Sequence, residues 1–559
     1  MFVVAGERRM RRTVSCIILA LLLVGTLALA FNVRLVNAQA ATTVYINSDG
    51  SVSPSSAPIS SADNVTYIFT GNMTYPAYNG IVVERNDTVI DGNGYTVQGE
   101  GEGHGYGLTL TGLRNVTIEN ANVQGFNNGI YLNSSLASTI IGNNATANSA
   151  YGIYLSGSSD NTVSGNNAIE AIVGDGIGLS YCNYTSVSGN NVSNDYFGID
   201  IGCSNNINVS GNNAIKIMSD GIHLSYCNYT SVSGNNVSND AWGIVIEYSN
   251  NITVSGNSAT GCGGGISIAY CSSDTVNSNN LTDNGDGIDL GDEANNDIVS
   301  DNTVTNGAVG IELESSSNNT VRGNDVAGNS FRGIFLWDSY SNIIYHNSII
   351  GNAVQAIAYY VVFGPSNTNT WDDGYPSGGN YWSDYNGTDL YSGPYQNVTG
   401  SDGIGDTPYV IVSLDQTFST SNTTDVDHYP LMGPFSDFSV GAGVDVQVVS
   451  NSTVSDFQYN GTAILFNVSG LNGTIGFCNV CVPTALLNGT LSVFVNGTQV
   501  QYSLLPISNS SVSYLYFTYG HSTEQVIIMP EFPDSLILAI LMLATLSAIV
   551  IHKKKYSRS

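Results

Sequence analysis

Carboxylate side chains recur at one position of a short motif that the chain repeats many times. The third residue of Gly-Ile-x-Leu is Asp289 in one copy and Glu312 in the next, and Asp200 and His223 in two earlier copies. If successive copies lie above one another as paired strands, about 4.8 Å apart, these side chains are neighbours. Carboxyl groups about 5 Å apart are the arrangement of a retaining glycosidase. The Asp289–Glu312 pair therefore predicts sugar hydrolysis, and the alternative is a solvated acidic face.

Calcium is the metal that the acidic residues favour, because it binds hard oxygen ligands. One candidate set is Asp286, Asp289 and Asp292, with Glu293 and Asp297 nearby. A second comprises Asp402 and Asp406, together with Asp384. The alternatives are an acidic surface for the first set and a turn-rich cap for the second.

Aromatic residues also recur in register with the motif. One repeat position holds Tyr181, Tyr226, Tyr248 and Tyr270, and the residue before the motif's glycine is Tyr151, Phe197 or Trp242 in three copies. Exposed rings at such spacing could stack on sugar rings. Alternatively, the rings stack on one another and stabilise the repeat.

Copper would need clustered Cys, Met or His side chains. The histidines after the N-terminal segment and before the C-terminal one are scattered: His104, His223, His346, His428 and His521. Methionine is sparse as well, so the residues do not favour a copper site.

Three cysteines occupy one repeat position on alternate copies: Cys182, Cys227 and Cys271. Alternate copies are about 10 Å apart, which exceeds the reach of a disulfide. Cys203 lies between two of them, one residue out of register, and could pair with either. Cys478 and Cys481 form Cys-x-x-Cys, which outside the cell indicates a local disulfide or two inert thiols.

The elements that position these residues follow from the repeat itself. The motif opens at Gly107, Gly129, Gly152, Gly176, Gly198, Gly221, Gly243, Gly265, Gly287, Gly310 and Gly333. A second landmark, mostly Val-Ser-Gly-Asn, keeps the same period and ends at Asn143, Asn166, Asn190, Asn212, Asn235, Asn257, Asn279, Asn302, Asn324 and Asn347. Steps of 22 to 24 residues are too short for a two-helix repeat.

Each repeat is rich in Gly, Asn, Ser, Thr, Val and Ile, which are poor helix formers. Short alternating apolar segments predict three strands per repeat, joined by bends that Asn tolerates. We therefore predict an all-β fold, a right-handed parallel β-helix of eleven turns. Stacked asparagines would bond along the coil, and Ile, Leu and Val would fill its interior.

The charge of the chain limits its partners. The formal net charge is −30, and between residues 41 and 530 the basic residues are Arg85, Arg114, Lys216, Arg322 and Arg332. Nucleic-acid binding is excluded on this ground, because a body this acidic repels phosphate. About two dozen Asn-x-Ser/Thr sequons predict glycosylation if the chain is exported.

The two ends predict export and anchoring. Residues 1–40 combine arginines, an apolar run and Ala38-Gln39-Ala40, as in a secretory signal peptide, with an uncleaved anchor as the alternative. The apolar run 536–551 precedes Lys553, Lys554 and Lys555, which predicts a transmembrane helix with the body outside and the C-terminus cytoplasmic. We therefore expect a cell-surface protein with a single-pass anchor.

Strings after the repeats carry a family resemblance: Asn380-Tyr381-Trp382-Ser383-Asp384-Tyr385 and Asp402-Gly403-Ile404-Gly405-Asp406-Thr407-Pro408-Tyr409. With the repeats, over residues 80–434, they resemble the NosD-type β-helix family. That resemblance implies carbohydrate binding or sugar hydrolysis, or copper handling as a periplasmic accessory protein. Pro530-Glu531-Phe532 with the basic tail resembles archaeal PEF-type sorting segments, which implies a sortase-like processing enzyme as a partner.

The predicted organisation is a signal peptide at 1–40, an N-terminal cap with irregular coils at 41–106, and repeats at 107–360. A NosD-type cap at 361–437, a small β-sandwich-like domain at 438–529 and the PEF-type tail at 530–559 follow. The favoured function is non-catalytic, either surface structure or binding of an extracellular polysaccharide or cell-wall glycan. The alternatives are a polysaccharide hydrolase or lyase acting through Asp289 and Glu312, and copper handling.

Overall fold

The computed structural model describes residues 42–75, 79–101, 104–171, 173–361, 369–415, 425–441 and 443–531. These residues form only β-strands and turns, arranged as a right-handed parallel β-solenoid of about 13 turns followed by two antiparallel sheets. Within them no helix is long and apolar enough to cross a membrane. The predicted signal peptide and transmembrane helix lie outside the described residues.

Three long sheets run along the solenoid, and each turn contributes one strand to each. Sheet 1 contains, in spatial order, Val52–Ser53, Val44–Ile46, Ile81–Val83, Tyr106–Thr111, Asn128–Asn133, Tyr151–Ser156, Asp175–Ser180, Ile199–Gly202, Asp220–Ser225, Trp242–Glu247, Gly264–Ala269, Asp286–Gly291, Val309–Glu314, Arg332–Trp337, Ala356–Tyr360 and Val412–Asp415.

Sheet 2 contains Ile59–Ser60, Thr66–Phe69, Thr88–Asp91, Val116–Glu119, Thr139–Ile141, Thr162–Ser164, Ser186–Ser188, Asn208–Ser210, Ser231–Ser233, Thr253–Ser255, Thr275–Asn277, Ile298–Ser300, Thr320–Arg322 and Ile343–Tyr345. Sheet 3 contains Met73–Tyr75, Thr96–Gly99, Asn122–Gln124, Asn144–Thr146, Asn167–Ile169, Asn191–Ser193, Asn213–Ile215, Asn236–Ser238, Ser258–Thr260, Asn280–Thr282, Thr303–Thr305, Asp325–Ala327, Ser348–Ile350 and Tyr381–Trp382.

The solenoid is longer than the eleven copies of the glycine motif. Parallel pairing extends to Val44–Ile46 at one end and to Val412–Asp415 at the other. These flanking strands lack Gly-Ile-x-Leu, so the motif undercounts the turns. Between sheets 1 and 2 lies turn A (residues 226–230 in one coil), between sheets 2 and 3 turn B (234–235), and between sheets 3 and 1 turn C (239–241).

Turn B carries the predicted asparagine ladder. Asn235 donates its backbone N–H to Asn257 Oδ1 at 2.9 Å and its Nδ2 to the same oxygen at 2.9 Å and to Val209 O at 3.0 Å. Asn212 donates to Asn235 Oδ1 in the same way. The ladder runs from Asn143 to Asn380, and its side chains are buried. The asparagines therefore satisfy the backbone groups that the bends leave free.

The cysteines of the solenoid are all unpaired. Cys182 and Cys227 are buried in an inward column that alternates with serines, since Cys182 N donates to Ser204 Oγ and Cys227 N to Ser249 Oγ. Cys203 is one residue earlier in its turn and half-buried. The predicted pairing of Cys203 with either neighbour is wrong, because the two inward thiols and Cys203 belong to different columns.

Two short antiparallel pairs follow the coil, Tyr391–Ser392 with Val398–Thr399 and Tyr409–Val410 with Val426–Asp427. Two five-stranded antiparallel sheets then enclose a second apolar core. One contains Phe435–Ser439, Asp445–Ser450, Ile475–Pro483, Val512–Gly520 and Tyr502–Leu504, and the other Thr453–Tyr459, Ile464–Ser469, Thr523–Pro530, Leu491–Val495 and Thr498–Val500.

Cys478 and Cys481 lie in the same strand of the first of these sheets and are unpaired. Residues three apart in a strand point to opposite faces, so their thiols diverge. The Cys478 thiol is buried beside the Ser450 and Tyr519 hydroxyls, at 3.5 and 3.6 Å. The local disulfide is therefore ruled out by strand geometry, and the alternative of two inert thiols fits.

Candidate functional site: the outward face of sheet 1

The glycine of each motif brings successive coils close together. A Cβ added to Gly243 would lie 2.5 Å from the carbonyl oxygen of Gly265 on the next turn, a distance that no real Cβ tolerates. The flanking Ile and Leu point inward and are fully buried, as at Ile244 and Ile246. The residues before and between them therefore point outward and stack into columns along sheet 1.

Asp289 and Glu312 are direct partners in this register. Both are half-buried, and Asp289 accepts a hydrogen bond from Ser267 Oγ at 3.1 Å. Burial raises the pKa of Asp289 to about 7, against the lowering effect of that hydrogen bond. Burial, together with the charge of Asp289, raises the pKa of Glu312 to about 7. The pKa of each carboxyl group therefore lies near neutrality, the range in which general acid–base catalysis is most effective.

Arg332, which the sequence reasoning missed, is the cation next to this pair. Its charge acts on Glu312, and its guanidinium carbon lies 3.7 Å from the ring centroid of Phe335 and 4.1 Å from that of Phe331. It occupies the outward position before Gly333, paired with Val309 of the preceding turn. Its position directly before the motif's glycine, shared with Tyr151, Phe197 and Trp242, could have identified it from the sequence.

Asp200 and His223 also become neighbours, as the register predicts. His223 Nδ1 lies 2.7 Å from Asp200 Oδ1, and the Phe197 ring stacks on the imidazole with centroids 5.1 Å apart. Burial lowers the pKa of His223, but the Asp200 carboxylate and the more distant Asp220 and Glu247 outweigh it, so the net shift is upward. The imidazole is therefore held towards its charged form.

Trp242 is half-buried, and its indole lies over the next turn. A Cβ added to Gly264, its register partner, would lie 2.1 Å from two indole carbons. The indole therefore occupies the space that a side chain at Gly264 would fill. Tyr151 lies over Gly178 in a similar way, with Tyr154 stacked on it at 4.3 Å.

The tyrosines of turn A stack mainly on one another. The Tyr226, Tyr248 and Tyr270 rings are nearly parallel, with centroids 5.0 and 4.8 Å apart, so only the two ends of this ladder present a free ring face. Tyr181 belongs to the same column but is separated from Tyr226 by Cys203, as the backbone bonds from Tyr181 N to Gly202 O and from Cys203 N to Ser225 O establish. This geometry favours the stabilising alternative for three of the four rings.

The candidate calcium residues are dispersed. Asp286 shares the outward face with Asp289, whereas Asp292 is exposed in turn A, where a hydrogen bond to it raises the pKa of Tyr270. Asp402 accepts from Ile404 N, and Asp406 from Leu390 N and Tyr391 N. In the described parts of the chain no three His, Cys, Asp or Glu residues are grouped to hold a metal ion. Calcium binding stays a prediction.

Two family models match the chain. Residues 204–387 match the family described as periplasmic copper-binding protein (NosD), and residues 79–237 match the right-handed beta helix region. The chain is similar to NosD-type right-handed β-helix proteins. The matched residues include the outward columns of sheet 1 and the first string of the cap. No curated protein matches the sequence.

Several solved structures are also similar at low identity. The Azotobacter vinelandii mannuronan C-5 epimerase AlgE6 A-module is 15% identical, with a TM-score of 0.35 over 54% of this chain and 83% of that one. The periplasmic alginate epimerase AlgG is 14% identical, with a TM-score of 0.36 over 53% and 80%. The Pseudomonas phage phi297 tailspike gp61 is 11% identical, with a TM-score of 0.31 over 74% and 66%. Likenesses this loose carry no argument about activity.

Proposed function

We propose that this protein is a non-catalytic carbohydrate-binding β-helix, exposed at the cell surface, whose sheet 1 binds an extended polysaccharide. The observation that carries the proposal is the half-buried Trp242 indole, which lies over Gly264 on the outward face of sheet 1. A flat ring offers the apolar face of a sugar a large contact at low entropic cost.

Hydrogen-bonding groups surround this platform. Glu247 on the strand Trp242–Glu247 and His223 on the strand Asp220–Ser225 are half-buried outward groups, whereas Asp220, the register partner of Trp242, is buried. Carboxylates accept hydrogen bonds from sugar hydroxyls, and imidazole both donates and accepts. The combination of one apolar plane and several polar groups is typical of a site that orients a ligand.

The overall charge selects among polysaccharides. With a formal net charge of −30, the protein repels uronate or sulfated chains and favours neutral or amine-bearing ones. We expect the full chain, screened against immobilised polysaccharides at about 0.15 M salt, to bind at least one neutral or amine-bearing polymer and no polyuronate. Binding to polyuronates alone would contradict the proposal.

A polysaccharide hydrolase is the second candidate, and the Asp289–Glu312 pair favours it. The two carboxyl groups are register partners, each with a pKa raised to about 7, and the Arg332 charge lies nearby. If the pair is catalytic, Asp289→Asn is expected to lower the release of reducing ends from a polysaccharide panel about 100-fold or more. Asp283→Asn, on an exposed turn, is the matched control.

Equal release by the wild type and Asp289→Asn, or none by either across the panel, would eliminate the hydrolase. Activity that Asp289→Asn abolishes and Asp283→Asn retains would instead replace the non-catalytic proposal.

A further inference from the structure

Turn A also carries four strongly exposed tyrosines, one of which, Tyr226, begins the stacked ladder. Residues 180–195 and 225–240 have the same sequence, Ser-Tyr-Cys-Asn-Tyr-Thr-Ser-Val-Ser-Gly-Asn-Asn-Val-Ser-Asn-Asp. Each copy places two tyrosines in turn A, and these four rings are 57% to 66% exposed: Tyr181, Tyr184, Tyr226 and Tyr229. All four have the left-handed backbone conformation, with φ between 53° and 55°.

The two copies are separated by one intervening turn. Along the first row the order is Tyr181, Cys203, Tyr226, and along the second row it is Tyr184, Asn206, Tyr229. Rings on alternate turns are about 10 Å apart, twice the strand spacing. The Tyr226 ring is parallel to Tyr248 within 8°, so its free face points back along the axis towards Cys203. Each row therefore has an exposed tyrosine at both ends and a smaller side chain, Cys203 or Asn206, on the turn between them; this space is called a slot.

We propose that these two slots are subsites for pyranose rings of a neutral sugar chain, each clamped between tyrosines on alternate turns. This inference rests on the proposed carbohydrate binding and names its ligand class. A ring centred in a slot lies about 5 Å from each tyrosine, within the range of stacked ring contacts.

The lining of the slots is polar and uncharged. Between the rows runs a half-buried asparagine ladder, in which Asn205 N donates to Asn183 Oδ1 at 2.9 Å and Asn228 N to Asn205 Oδ1 at 3.0 Å. The tyrosine hydroxyls and the amide of Asn205, which lies outside the Asn-x-Ser/Thr sequons, can exchange hydrogen bonds with sugar hydroxyls. Neither row places a charged side chain between its two rings, so the slots match a neutral sugar rather than a uronate or an ammonium ion.

Cys203 reports occupancy, because it is half-buried and lies on the turn between Tyr181 and Tyr226. We expect that methyl glucoside, methyl mannoside or N-acetylglucosamine slows the alkylation of Cys203 in the full chain. The sugar is added at about 50 mM, because such a small contact binds weakly. A slowing of about threefold corresponds to two-thirds occupancy. Cys481, half-buried in the C-terminal sheets, is the internal control and is expected to react at an unchanged rate. Labelling is read peptide by peptide by mass spectrometry.

Tyr181→Ala removes one wall of the slot without touching the stacked ladder and is expected to abolish the protection. Tyr270→Ala, at the far end of that ladder, is the matched variant and is expected to retain it. Three results would overturn the proposal that the slots bind sugars. They are protection by none of the three sugars, equal protection by sorbitol or tetramethylammonium, and full protection in Tyr181→Ala. If the slots fail these tests but polysaccharide binding still depends on Trp242, the sheet 1 proposal stands. If the slots are protected but no polysaccharide binding depends on Trp242, only the sheet 1 proposal is overturned.

Discussion

Replacement of Asn235 by leucine is expected to lower the free energy of unfolding by about 4 kcal/mol or more. The leucine fits the volume but breaks the ladder in both directions. Asn212 N and Nδ2 lose their acceptor, and Val209 O and Asn257 Oδ1 lose a donor, all inside the coil. Each buried polar group left unpaired costs about 1–3 kcal/mol. The shift of the urea unfolding midpoint measures the loss.

Asn236→Leu is the control, at the next residue, which begins the sheet 3 strand Asn236–Ser238. Asn236 is exposed, and its side chain makes one bond, from Nδ2 to Asn213 Oδ1 at 2.7 Å. The change there is expected to cost less than about 1 kcal/mol. Equal costs for the two leucine variants would refute the view that the buried ladder holds the turns together.

Four buried aspartates occupy places that asparagines fill on other turns: Asp195, Asp240, Asp274 and Asp297. In turn C, a Cβ on Gly221 would lie 2.7 Å from Asp240 Oδ2, just as a Cβ on Gly129 would lie 2.7 Å from Asn148 Nδ2. At that place Asn148 donates to a backbone carbonyl, whereas all four Asp Oδ2 atoms have no hydrogen-bond partner. These carboxyls therefore fit the ladder best when protonated.

We expect the fold to lose stability as pH rises from about 4 to about 8. Burial raises the pKa of Asp195 and Asp274 to about 8 and that of Asp240 and Asp297 to about 7, above the unfolded value of 3.8. The folded state thus binds more protons over this window. The stability that these groups contribute is complete below the unfolded pKa and is lost as the pH rises through the folded values.

A variant with all four residues changed to Asn is expected to unfold at a higher urea concentration than the wild type at pH 8, and at a similar one at pH 4. The amide supplies the missing donor and does not ionise. Asp283→Asn, on an exposed turn, should leave the wild-type pH profile unchanged. If the fourfold variant keeps the pH dependence of the wild type, the buried carboxyls are not its source.

The repeat allows much of the solenoid to be predicted from the sequence. Because one period holds over many copies, matching positions become neighbours, and this alone predicts Asp289 beside Glu312 and Asp200 beside His223. The alternate-turn spacing of Cys182 and Cys227 follows in the same way. The coil ends were harder to predict, since Val44–Ile46 and Val412–Asp415 pair without the glycine motif.

Side-chain direction is what the repeat leaves open. The column of Tyr226, Tyr248 and Tyr270 could be predicted, but not that the rings cover one another's faces. The column of Trp242 could be predicted, whereas its position over the next turn depends on the absence of a side chain at Gly264. The position of Arg332 near Glu312 likewise depends on which outward side chains converge. That Cys478 and Cys481 cannot form a disulfide follows only once both are known to lie in one continuous strand.

Carbohydrate binding by sheet 1 is tested most directly by titration calorimetry of the full chain with whichever neutral or amine-bearing polysaccharide binds best. Trp242→Ala is expected to weaken binding about 10-fold or more, the loss typical of a central tryptophan contact. Ile298→Ala, an exposed apolar residue on sheet 2, is expected to bind as the wild type does. Equal affinities for all three proteins, or a larger loss in Ile298→Ala, would contradict the account.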